Sequence, residues 1–381
     1  MVQSVSPSTP RPNASVEGSH PLLPCGVQSR NDWKRLQQAI VKEHAVPSQV
    51  GAQSLAVLVA SPVSDMRQSV ALFRESLASL TQSRACATLG DTTFRWWFFH
   101  HDSQNSLWAR DACYRDSRVV LGRSIAESAP AGSCKPAFWL RYLDADAVRR
   151  HDYVWLKDED LGLGLFSWPV YKAVLLLYRP LVSQPAVVAA VEGGRATDIT
   201  DLRIGRTCPT LPRWREVCQS EVQTPILATS IWPAIRARLE THDNRSNWNI
   251  DLFWSLLAML RRRCVAGARD LLVVDAAPVT HVDMGTLWRR SGKTCGRVSG
   301  AVSRHNTLPM SPELRQLSRH IVVRTPRGAA GNFPISRCPN AVDSAWKNAS
   351  LLLPNLFLEL GGRFRDSTNR RAPARAGCGV E

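Results

Sequence analysis

A continuous apolar run is the feature that most constrains the fold of this chain. Ser54–Ala60 is apolar on both faces and is followed by a Ser-Pro pair, which is typical of a central strand covered by helices. An amphipathic helix is predicted over Asp65–Leu80, with Asp65 as its N-cap. The aromatic run Phe94–Phe99 predicts a second strand. Strand, helix and strand in this order predict an α/β unit with a parallel sheet.

The same pattern continues through the middle of the chain. A third strand is predicted at Tyr153–Leu156, and it runs directly into the acidic sequence Lys157–Asp160. The other predicted elements are strands at Leu181–Pro185, Thr224–Leu227 and Asp270–Val274 and helices at Phe138–Val148 and Asn249–Arg262. We therefore expect an open, mostly parallel α/β sheet flanked by helices.

Composition divides the 381 residues into four parts. Residues 1–46 are rich in Ser and Pro and are expected to form a disordered leader, with a short amphipathic helix over Asp32–Glu43. The α/β domain is expected over residues 47–290, which is long enough to bury a core. A basic C-terminal extension with short helices is expected over residues 291–360, and a disordered basic tail over residues 361–381.

The net charge of +16 is concentrated at the C-terminal end. Gly285–Glu381 carries 16 Lys and Arg against 5 Asp and Glu, so this quarter alone contributes +11. A charge run of this kind is typical of a solvated tail, and less often of an arm that contacts anionic partners. Aromatic residues are not interleaved with the basic ones there, so a nucleic-acid partner is not expected.

The hydropathy pattern contains no apolar run of the roughly 20 residues that a membrane span requires. The N-terminal residues also lack the basic and apolar regions of a signal peptide. These features predict a chain that is cytoplasmic by default. A secretory or Golgi location stays open if an anchor precedes the sequence.

Ten cysteines are scattered along the chain, and none forms a CxxC pair. This spacing excludes zinc ribbons and thioredoxin-type redox chemistry. It predicts buried thiols and not the dense disulfide framework of a small secreted domain.

Three carboxylates, Asp158, Glu159 and Asp160, directly follow the predicted strand Tyr153–Leu156. Open α/β sheets bind their ligands at the carboxyl ends of the strands. Two carboxylates two residues apart at such a turn can reach one Mg²⁺ or Mn²⁺, whose coordination is completed by water and phosphate oxygens. The sequence therefore predicts a site for a divalent cation and a nucleotide diphosphate. The alternative is an acidic turn that only ends the strand.

Several motifs of the chain occur in the order in which one plant family has them. The most specific is His151–Gly162, which is similar to that family's Tyr-Asp-Tyr-Ile…Trp-Asp-Glu-Asp-Leu-Gly motif. The others are Phe98–Asp102 with Trp108, Lys135–Asp146, Ser183–Ala186, Glu221–Pro225, Trp248–Asp251 and Val274–His281. Over about residues 50–325 the chain resembles the lysine-ketoglutarate-reductase trans-splicing-related proteins of plants, whose sequences look like GT-A glycosyltransferases. The resemblance implies a GT-A-like fold of the nucleotide-diphospho-sugar transferase type.

The resemblance implies roles for the acidic residues. Asp158, Glu159 and Asp160 would bind the diphosphate of a nucleotide-sugar donor. Asp158 and Asp160 would hold Mn²⁺ or Mg²⁺, with His281 as the third ligand. Judged from the residues alone, His281 is equally well explained as a histidine of the core or of a loop.

The resemblance also implies an acceptor side of the site. Asp251, at the start of the predicted Asn249–Arg262 helix, would be the general base that deprotonates the acceptor hydroxyl. The alternative is an acid that only complements the helix dipole. The polar and aromatic residues of the acceptor pocket would be Ser183, Gln184, Glu221 and Trp248.

Together these assignments predict a metal-dependent glycosyltransferase with an unknown acceptor. The alternative is a GT-A-like binding protein without catalytic activity. Departures from the family motifs favour that alternative. Ser103 replaces a glycine, and Lys157 replaces a tryptophan. The family's Trp-Gly-Leu-Asp motif has the sequence Trp-Asn-Ile-Asp here, at Trp248–Asp251. All of these departures spare the carboxylates.

Overall fold

The computed structural model describes most of the predicted α/β domain. The described residues are 29–43, 53–81, 86, 92–102, 104–125, 134–189, 214–217, 220–240, 247, 250–251, 253–255, 257–258 and 269–282. Residues 1–28 of the expected leader, the predicted regions 291–360 and 361–381, and Trp248 lie outside these residues.

Nine strands form one sheet within the described residues. They are β1 (Leu55–Val63), β2 (Thr92–His100), β3 (Val120–Ile125), β4 (Tyr153–Leu156), β5 (Leu161–Gly162), β6 (Val182–Ala189), β7 (Arg215–Glu216), β8 (Ile226–Ala228) and β9 (Leu271–His281). Eight of them follow the order β3-β2-β1-β4-β8-β6-β9-β5, and β7 also pairs with β9. All six strands predicted from the sequence are confirmed, as β1, β2, β4, β6, β8 and β9.

The two halves of the sheet differ in strand direction. Strands β3, β2, β1 and β4 run parallel to one another. In the other half β6 and β9 are parallel, whereas β8 is antiparallel to β4 and β6, and β5 and β7 are antiparallel to β9. The predicted α/β sheet with flanking helices is confirmed. Its mostly parallel character holds only for the first half, because sequence patterns predict strands without their direction.

The described residues include seven α-helices. They are α1 (Arg30–Glu43), α2 (Arg67–Thr81), α3 (Ala112–Arg115), α4 (Lys135–Tyr142), α5 (Ala145–Arg149), α6 (Trp168–Tyr178) and α7 (Trp232–Glu240). Residues 250–251, 253–255 and 257–258 are also helical, within the predicted helix Asn249–Arg262. The helix predicted over Phe138–Val148 is divided into α4 and α5, because the Asp144 carboxylate caps a new helix by accepting from Ala147 N at 2.7 Å. No helix of the described residues is long and apolar enough to cross a bilayer.

The sheet separates two apolar clusters. Alternate residues of β1 point to opposite faces, so Val57 and Val59 belong to one cluster, and Leu58 and Ala60 to the other. The first cluster includes residues of α2 and α6. The second includes residues of α4, α7 and the helical segment that contains Trp254. Both faces of β1 are therefore covered, as its continuous apolar run predicts.

Helix α1 belongs to the folded domain, although it lies in the predicted leader. Trp33 is buried, and its Nε1 donates to the carbonyl oxygen of Leu165 at 2.9 Å. Gln37 Nε2 donates to the carbonyl oxygens of Leu165 and Ala276, also at 2.9 Å. Helix α1 therefore packs on the α/β domain although it precedes the boundary expected at residue 47, because a short helix with one buried face needs a partner that the local sequence does not reveal.

One pair of cysteines corrects the prediction of buried thiols. Cys86 and Cys113 form a disulfide that joins the chain after α2 to α3. The two residues are far apart in the sequence, and their spacing gives no sign of the pairing. Arg74 of α2 contacts Asp111 and Cys113, so the tertiary structure places α2 next to the segment that carries Cys113.

Candidate functional site

The loops at the carboxyl ends of the parallel strands meet at one edge of the sheet. The loops after β1, β2 and β4 lie side by side there, because β1 pairs with both neighbours in parallel register. Five carboxylates follow these three strands: Asp65, Asp102, Asp158, Glu159 and Asp160. The structure divides them into two groups with different surroundings.

The first group fastens the loops together, and we call Ser64, Ser69, His101 and Glu159 the loop-anchoring cluster. Glu159 Oε2 accepts hydrogen bonds from Ser64 N (2.7 Å), Ser64 Oγ (2.8 Å) and Ser69 Oγ (2.7 Å). Glu159 Oε1 lies 3.2 Å from His101 Nε2, and only 6% of Glu159 is exposed. The prediction that Glu159 binds a diphosphate is therefore corrected, because its carboxylate is turned inward and engaged by these donors.

Asp65 and Asp102 are engaged in a similar way. The Asp65 carboxylate accepts from Ser106 N (3.0 Å), Ser106 Oγ (2.7 Å) and Leu107 N (2.8 Å), and Asp102 Oδ2 accepts from Asp65 N at 2.7 Å. Burial alone would raise the pKa of Asp65, but these hydrogen bonds outweigh it and lower that pKa below its usual value. The predicted role of Asp65 as the N-cap of α2 is wrong, because its carboxylate faces the 106–107 loop and α2 begins at Arg67.

Asp158, in the second group, forms an ion pair with Lys135. Lys135 Nζ lies 2.5 Å from Asp158 Oδ2, and the two side chains are 6% and 17% exposed. Burial raises the pKa of Asp158 to about 6, an effect that the charge of Lys135 opposes. The backbone is fixed as well, since Asp158 N donates to the carbonyl oxygen of Gln223 at 3.0 Å.

Lys157 is a second buried cation in the acidic loop. Its Nζ donates to the carbonyl oxygen of Asp158 at 3.0 Å. Burial lowers the pKa of Lys157 to about 8, although the charges of Asp160 and Asp158 act in the opposite direction. Lys157 therefore places a positive charge inside the acidic loop.

Asp160 and His281 come together although they lie far apart in the sequence. Strand β5 pairs with β9 so that Leu161 is opposite His281, and Val282 N donates to the carbonyl oxygen of Asp160 at 2.9 Å. His281 Nε2 lies 3.3 Å from Asp160 Oδ2. Asp160 Oδ1 is buried and has no hydrogen-bond partner among the described residues. A carboxylate with an unsatisfied oxygen beside an imidazole suits a divalent cation.

The predicted set of three metal ligands is not assembled in full. Within the part of the chain that the structure describes, no group of three or more His, Cys, Asp or Glu side chains could hold a metal ion. Asp160 and His281 fit a cation as two ligands, whereas Asp158 is paired with Lys135. Mg²⁺ is commonly bound through one or two carboxylates together with substrate phosphates. Two protein ligands therefore suit a cation that arrives with a diphosphate.

Glu221 and Gln184 meet at the same site. Glu221 N donates to Gln184 Oε1 at 2.7 Å. Burial raises the pKa of Glu221 to about 8, and the negative charge of Asp251 adds to this shift. The charges of Lys135 and His281 also act on Glu221, so its carboxyl group lies within electrostatic range of both.

Asp251 is positioned next to the segment that carries Glu221. Ser255 Oγ donates to the carbonyl oxygen of Asp251 at 2.7 Å and accepts from Ser220 N at 3.1 Å. Trp254 Nε1 donates to Ser220 Oγ at 2.7 Å. These bonds join the helical segment to the residue that precedes Glu221. The role of Asp251 as a general base stays a prediction.

Ser183 contacts Tyr171 and not the other predicted site residues among the contacts of the described residues. It precedes Gln184 in β6, and consecutive residues of a strand point to opposite faces of the sheet. Tyr171 OH donates to Ser183 Oγ at 2.9 Å, and both residues are fully buried. The place of Ser183 in an acceptor pocket stays a prediction, and the strand alternation separates its side chain from that of Gln184. Trp248, the other predicted pocket residue, lies outside the described residues.

Lys135 is the site residue that the sequence analysis does not single out. It lies in the first turn of α4, where a positive charge opposes the helix dipole. Such a position is unfavourable unless a carboxylate faces the lysine, as Asp158 does here. A lysine at the start of a predicted helix, in a chain with an acidic motif at a strand end, is thus a sequence signal that could have indicated Lys135 as a site residue.

No family model and no curated protein matches this chain. Among solved structures it is similar to GalNAc-T7, crystallised with UDP, GalNAc and Mn²⁺, with a TM-score of 0.45 and 12% identity over 94% of this chain and 71% of the other. It is similar to S. aureus TarS with a TM-score of 0.38 and 14% identity over 82% of this chain and 53% of the other. For TarS 1–349 in complex with UDP, the TM-score is 0.37 and the identity 13%, over 84% of this chain and 95% of the other.

These neighbours are GT-A glycosyltransferases. At TM-scores below 0.5 and identities of 12 to 14%, the likeness carries no argument about what this chain binds or does. The mixed α/β sheet with flanking helices rests on the strand order and register of this chain itself. The resemblance to the plant family stays a prediction.

Proposed function

We propose that this chain transfers a sugar from a nucleotide-sugar donor whose diphosphate binds, with a divalent cation, beside Asp158 and Asp160. The observation that carries the proposal is the meeting of Asp160 and His281 at the carboxyl edge of the sheet. Their side chains approach to 3.3 Å, and Asp160 Oδ1 is buried without a hydrogen-bond partner among the described residues. A cation held by these two residues would satisfy that oxygen.

The charges around the pair suit an anionic ligand. A bound Mg²⁺ or Mn²⁺ would neutralise negative charge on the diphosphate leaving group. Lys135 Nζ supplies a fixed positive charge against Asp158, and Lys157 Nζ balances part of the acidic loop from inside the protein. A diphosphate would therefore meet the positive charge of Lys135 beside the acids of this edge.

The acceptor side of the proposed reaction lies at Asp251. A carboxylate there would take the proton of the acceptor hydroxyl as the bond to the sugar forms. The hydrogen bonds of Ser255 and Ser220 fix the backbone around Asp251, which limits the range of positions its carboxylate can take. Glu221 supports the placement of the acceptor side here, because its carboxyl group lies within electrostatic range of the Asp251 carboxylate.

A thermal-shift screen tests the donor site. The full chain is measured with UDP, GDP, CDP and UDP-sugars, each in Mn²⁺, Mg²⁺ or EDTA. A ligand at about 100 times its Kd stabilises the folded state by roughly 2.7 kcal/mol. We expect one nucleotide to give a metal-dependent shift that is lost in Asp160→Asn and in His281→Ala. Release of the nucleotide diphosphate from the matching nucleotide-sugar should be lost in the same variants.

The matched control is Asp146→Asn, which removes an exposed carboxylate of α5 that pairs with Arg149. This variant should bind and turn over the donor like the wild type. A nucleotide shift of equal size in Mn²⁺ and EDTA, unchanged in Asp160→Asn, would contradict the proposed cation site. No shift with any nucleotide would contradict the proposed function as a whole.

The Lys135–Asp158 ion pair favours a second candidate, a binding protein of this fold without turnover. Lys135 is a resident cation that could bind a diphosphate without a metal ion. In that case nucleotide binding persists in EDTA and is lost in Lys135→Met. Nucleotide release from the donor would then not exceed that of the Asp158→Asn, Asp160→Asn double variant.

The disulfide between Cys86 and Cys113 supports an oxidising compartment for this activity. It favours the secretory location over the cytoplasmic one. Peptide mapping of the native protein without reduction should recover the two cysteines as one cross-linked species. Free thiols at both positions would contradict this placement.

A further inference from the structure

Two buried polar atoms in the contacting residues Gln184 and Glu221 have no partner within the described part of the chain. They are Gln184 Nε2 and Glu221 Oε2, in residues that are 0% and 7% exposed. Buried polar groups in native proteins are nearly always hydrogen-bonded, because an unpaired one loses its water and gains nothing in return. A ligand group that reaches both atoms would satisfy them.

The two atoms belong to one small region of the site. Glu221 N donates to Gln184 Oε1 at 2.7 Å, and Gln184 Nε2 is bonded to the same carbon as that oxygen. The other groups around Glu221 are charged: Asp251, Lys135, His281 and Asp158 all act on its carboxyl group. These charges connect the region to Asp251 and to the Lys135–Asp158 ion pair of the candidate site.

We propose that Gln184 and Glu221 form a subsite for one hydroxyl group of a sugar. This inference rests on the proposed function and names the part of the substrate that the site recognises. A hydroxyl carries one proton and two lone pairs, so it can accept from Gln184 Nε2 while it donates to an ionised Glu221 or accepts from a protonated one. The match therefore holds in either protonation state of Glu221.

The alternatives fit the same two atoms less well. An apolar group would leave both of them unpaired. A fully ionised phosphate has no proton to give to an ionised Glu221 and would be repelled by Asp251, although the charges of Lys135 and His281 also act on this carboxyl group. The hydroxyl can come from the donor sugar or from a sugar acceptor, since the chemistry of recognition is the same for both.

Binding measurements on the full chain distinguish these sources. Kd is measured by calorimetry, in Mn²⁺, for UDP, UDP-glucose, GDP and GDP-mannose, and by ligand-observed NMR for free glucose and mannose. The variants are Glu221→Gln, which keeps the shape of the side chain, and Gln184→Met, which removes the amide. The matched control is Ser183→Ala, which alters the neighbouring residue on the opposite face of β6.

We expect both site variants to bind the nucleoside diphosphate like the wild type. If the donor sugar supplies the hydroxyl, the affinity that the sugar adds to the diphosphate should fall at least about tenfold in both variants. If the acceptor supplies it, the donor affinities stay unchanged and free-sugar binding falls by a similar factor. Ser183→Ala should change neither quantity.

Two outcomes overturn the inference. In the first, both site variants bind free sugar like the wild type, and the ratio of their nucleotide-sugar affinity to their nucleotide affinity is also that of the wild type. The second is a wild-type protein that binds neither nucleotides nor sugars. A wild type that binds free sugar through Glu221 but binds no nucleotide would contradict the proposed function and leave the subsite standing. Should Gln184→Met fail to fold, Glu221→Gln alone decides between these outcomes.

Discussion

The loop-anchoring cluster and the candidate site share the loop that follows β4, yet they differ in how their polar atoms are satisfied. Glu159 accepts three hydrogen bonds on one oxygen and faces His101 with the other. The next residue, Asp160, keeps a buried oxygen without a partner in the described structure. The polar atoms of the cluster are paired within the protein, whereas the site keeps a buried carboxylate oxygen that a ligand would satisfy.

This difference teaches that adjacent acids of one motif can have separate tasks. A motif of acids at a strand end indicates where a site lies, but the hydrogen-bond partners decide which carboxylate is structural. Glu159 fastens the β1 loop to the β4 loop and so places Asp158 and Asp160 where a ligand can reach them. Stability should therefore depend on Glu159, and binding on its neighbours.

The largest expected effect follows from removing the centre of the loop-anchoring cluster. Glu159→Ala leaves Ser64 N and two hydroxyl groups without their acceptor, and should lower the free energy of unfolding by about 4 kcal/mol. Chemical denaturation followed by tryptophan fluorescence measures this change. The control is Glu240→Ala, a 60% exposed side chain at the end of α7. A loss below about 1 kcal/mol in Glu159→Ala would break the comparison.

The second effect is a pH dependence next to the cluster. His100 is fully buried, and burial lowers its pKa to about 4, from an ordinary value of 6.5. Its Nε2 lies 2.7 Å from Tyr114 OH. Since the unfolded chain takes up the proton first, the stability that neutral His100 contributes is full above pH 6.5 and is lost as the pH falls toward 4. The loss should reach about 3 kcal/mol.

The variant His100→Gln isolates this contribution, because glutamine keeps a polar partner for Tyr114 but does not titrate. Unfolding free energies of the wild type and the variant are measured from pH 7.5 to pH 4, and their difference is plotted against pH. We expect a slope that begins near the ordinary histidine pKa. A difference that is constant over this range would show that His100 keeps an ordinary pKa.

A smaller effect separates two neighbours in β6. Ser183→Ala removes the acceptor of the Tyr171 hydroxyl and should cost about 1 kcal/mol of unfolding free energy. Ligand binding should be unchanged, because Ser183 and Gln184 point to opposite faces. A binding defect in Ser183→Ala, measured by the same calorimetry as for the site variants, would place Ser183 in the acceptor pocket.

The smallest effect on stability is expected for Asp160→Asn. Asp160 Oδ1 has no partner among the described residues, and an amide oxygen can keep the 3.3 Å contact of Oδ2 with His281 Nε2, so the amide should change the unfolding free energy by no more than about 0.5 kcal/mol. The contrast with Glu159→Ala, one residue away, is the sharpest test of the division between cluster and site. A loss above about 2 kcal/mol would place Asp160 among the structural residues.

Sequence patterns predict those parts of the fold whose signal is local. Strands β1, β2 and β4 are continuous apolar or aromatic runs, and α2 has one apolar face. Helix α6 escapes prediction because seven of its eleven residues are buried and no polar face marks its period. Apolar residues without a polar face do not distinguish a buried helix from a strand.

In the candidate site, too, sequence patterns predict only what depends on contiguous residues. The sequence places Asp158 and Asp160 at a strand end, since a strand and the acids that follow it are contiguous. It does not separate Glu159 from them, because the donors to Glu159 come from Ser64 and Ser69, which are remote in the chain. The Lys135–Asp158 pair depends in the same way on how α4 packs.

By itself the sequence determined the α/β class, the main strands and the edge at which the acids lie, because these depend on contiguous residues. The tertiary structure decided the mixed strand directions, the Cys86–Cys113 pairing and the approach of His281 to Asp160. It also decided which buried polar atoms find a partner. Each of these depends on contacts between distant segments, and such contacts are fixed only when the two faces of the sheet are packed.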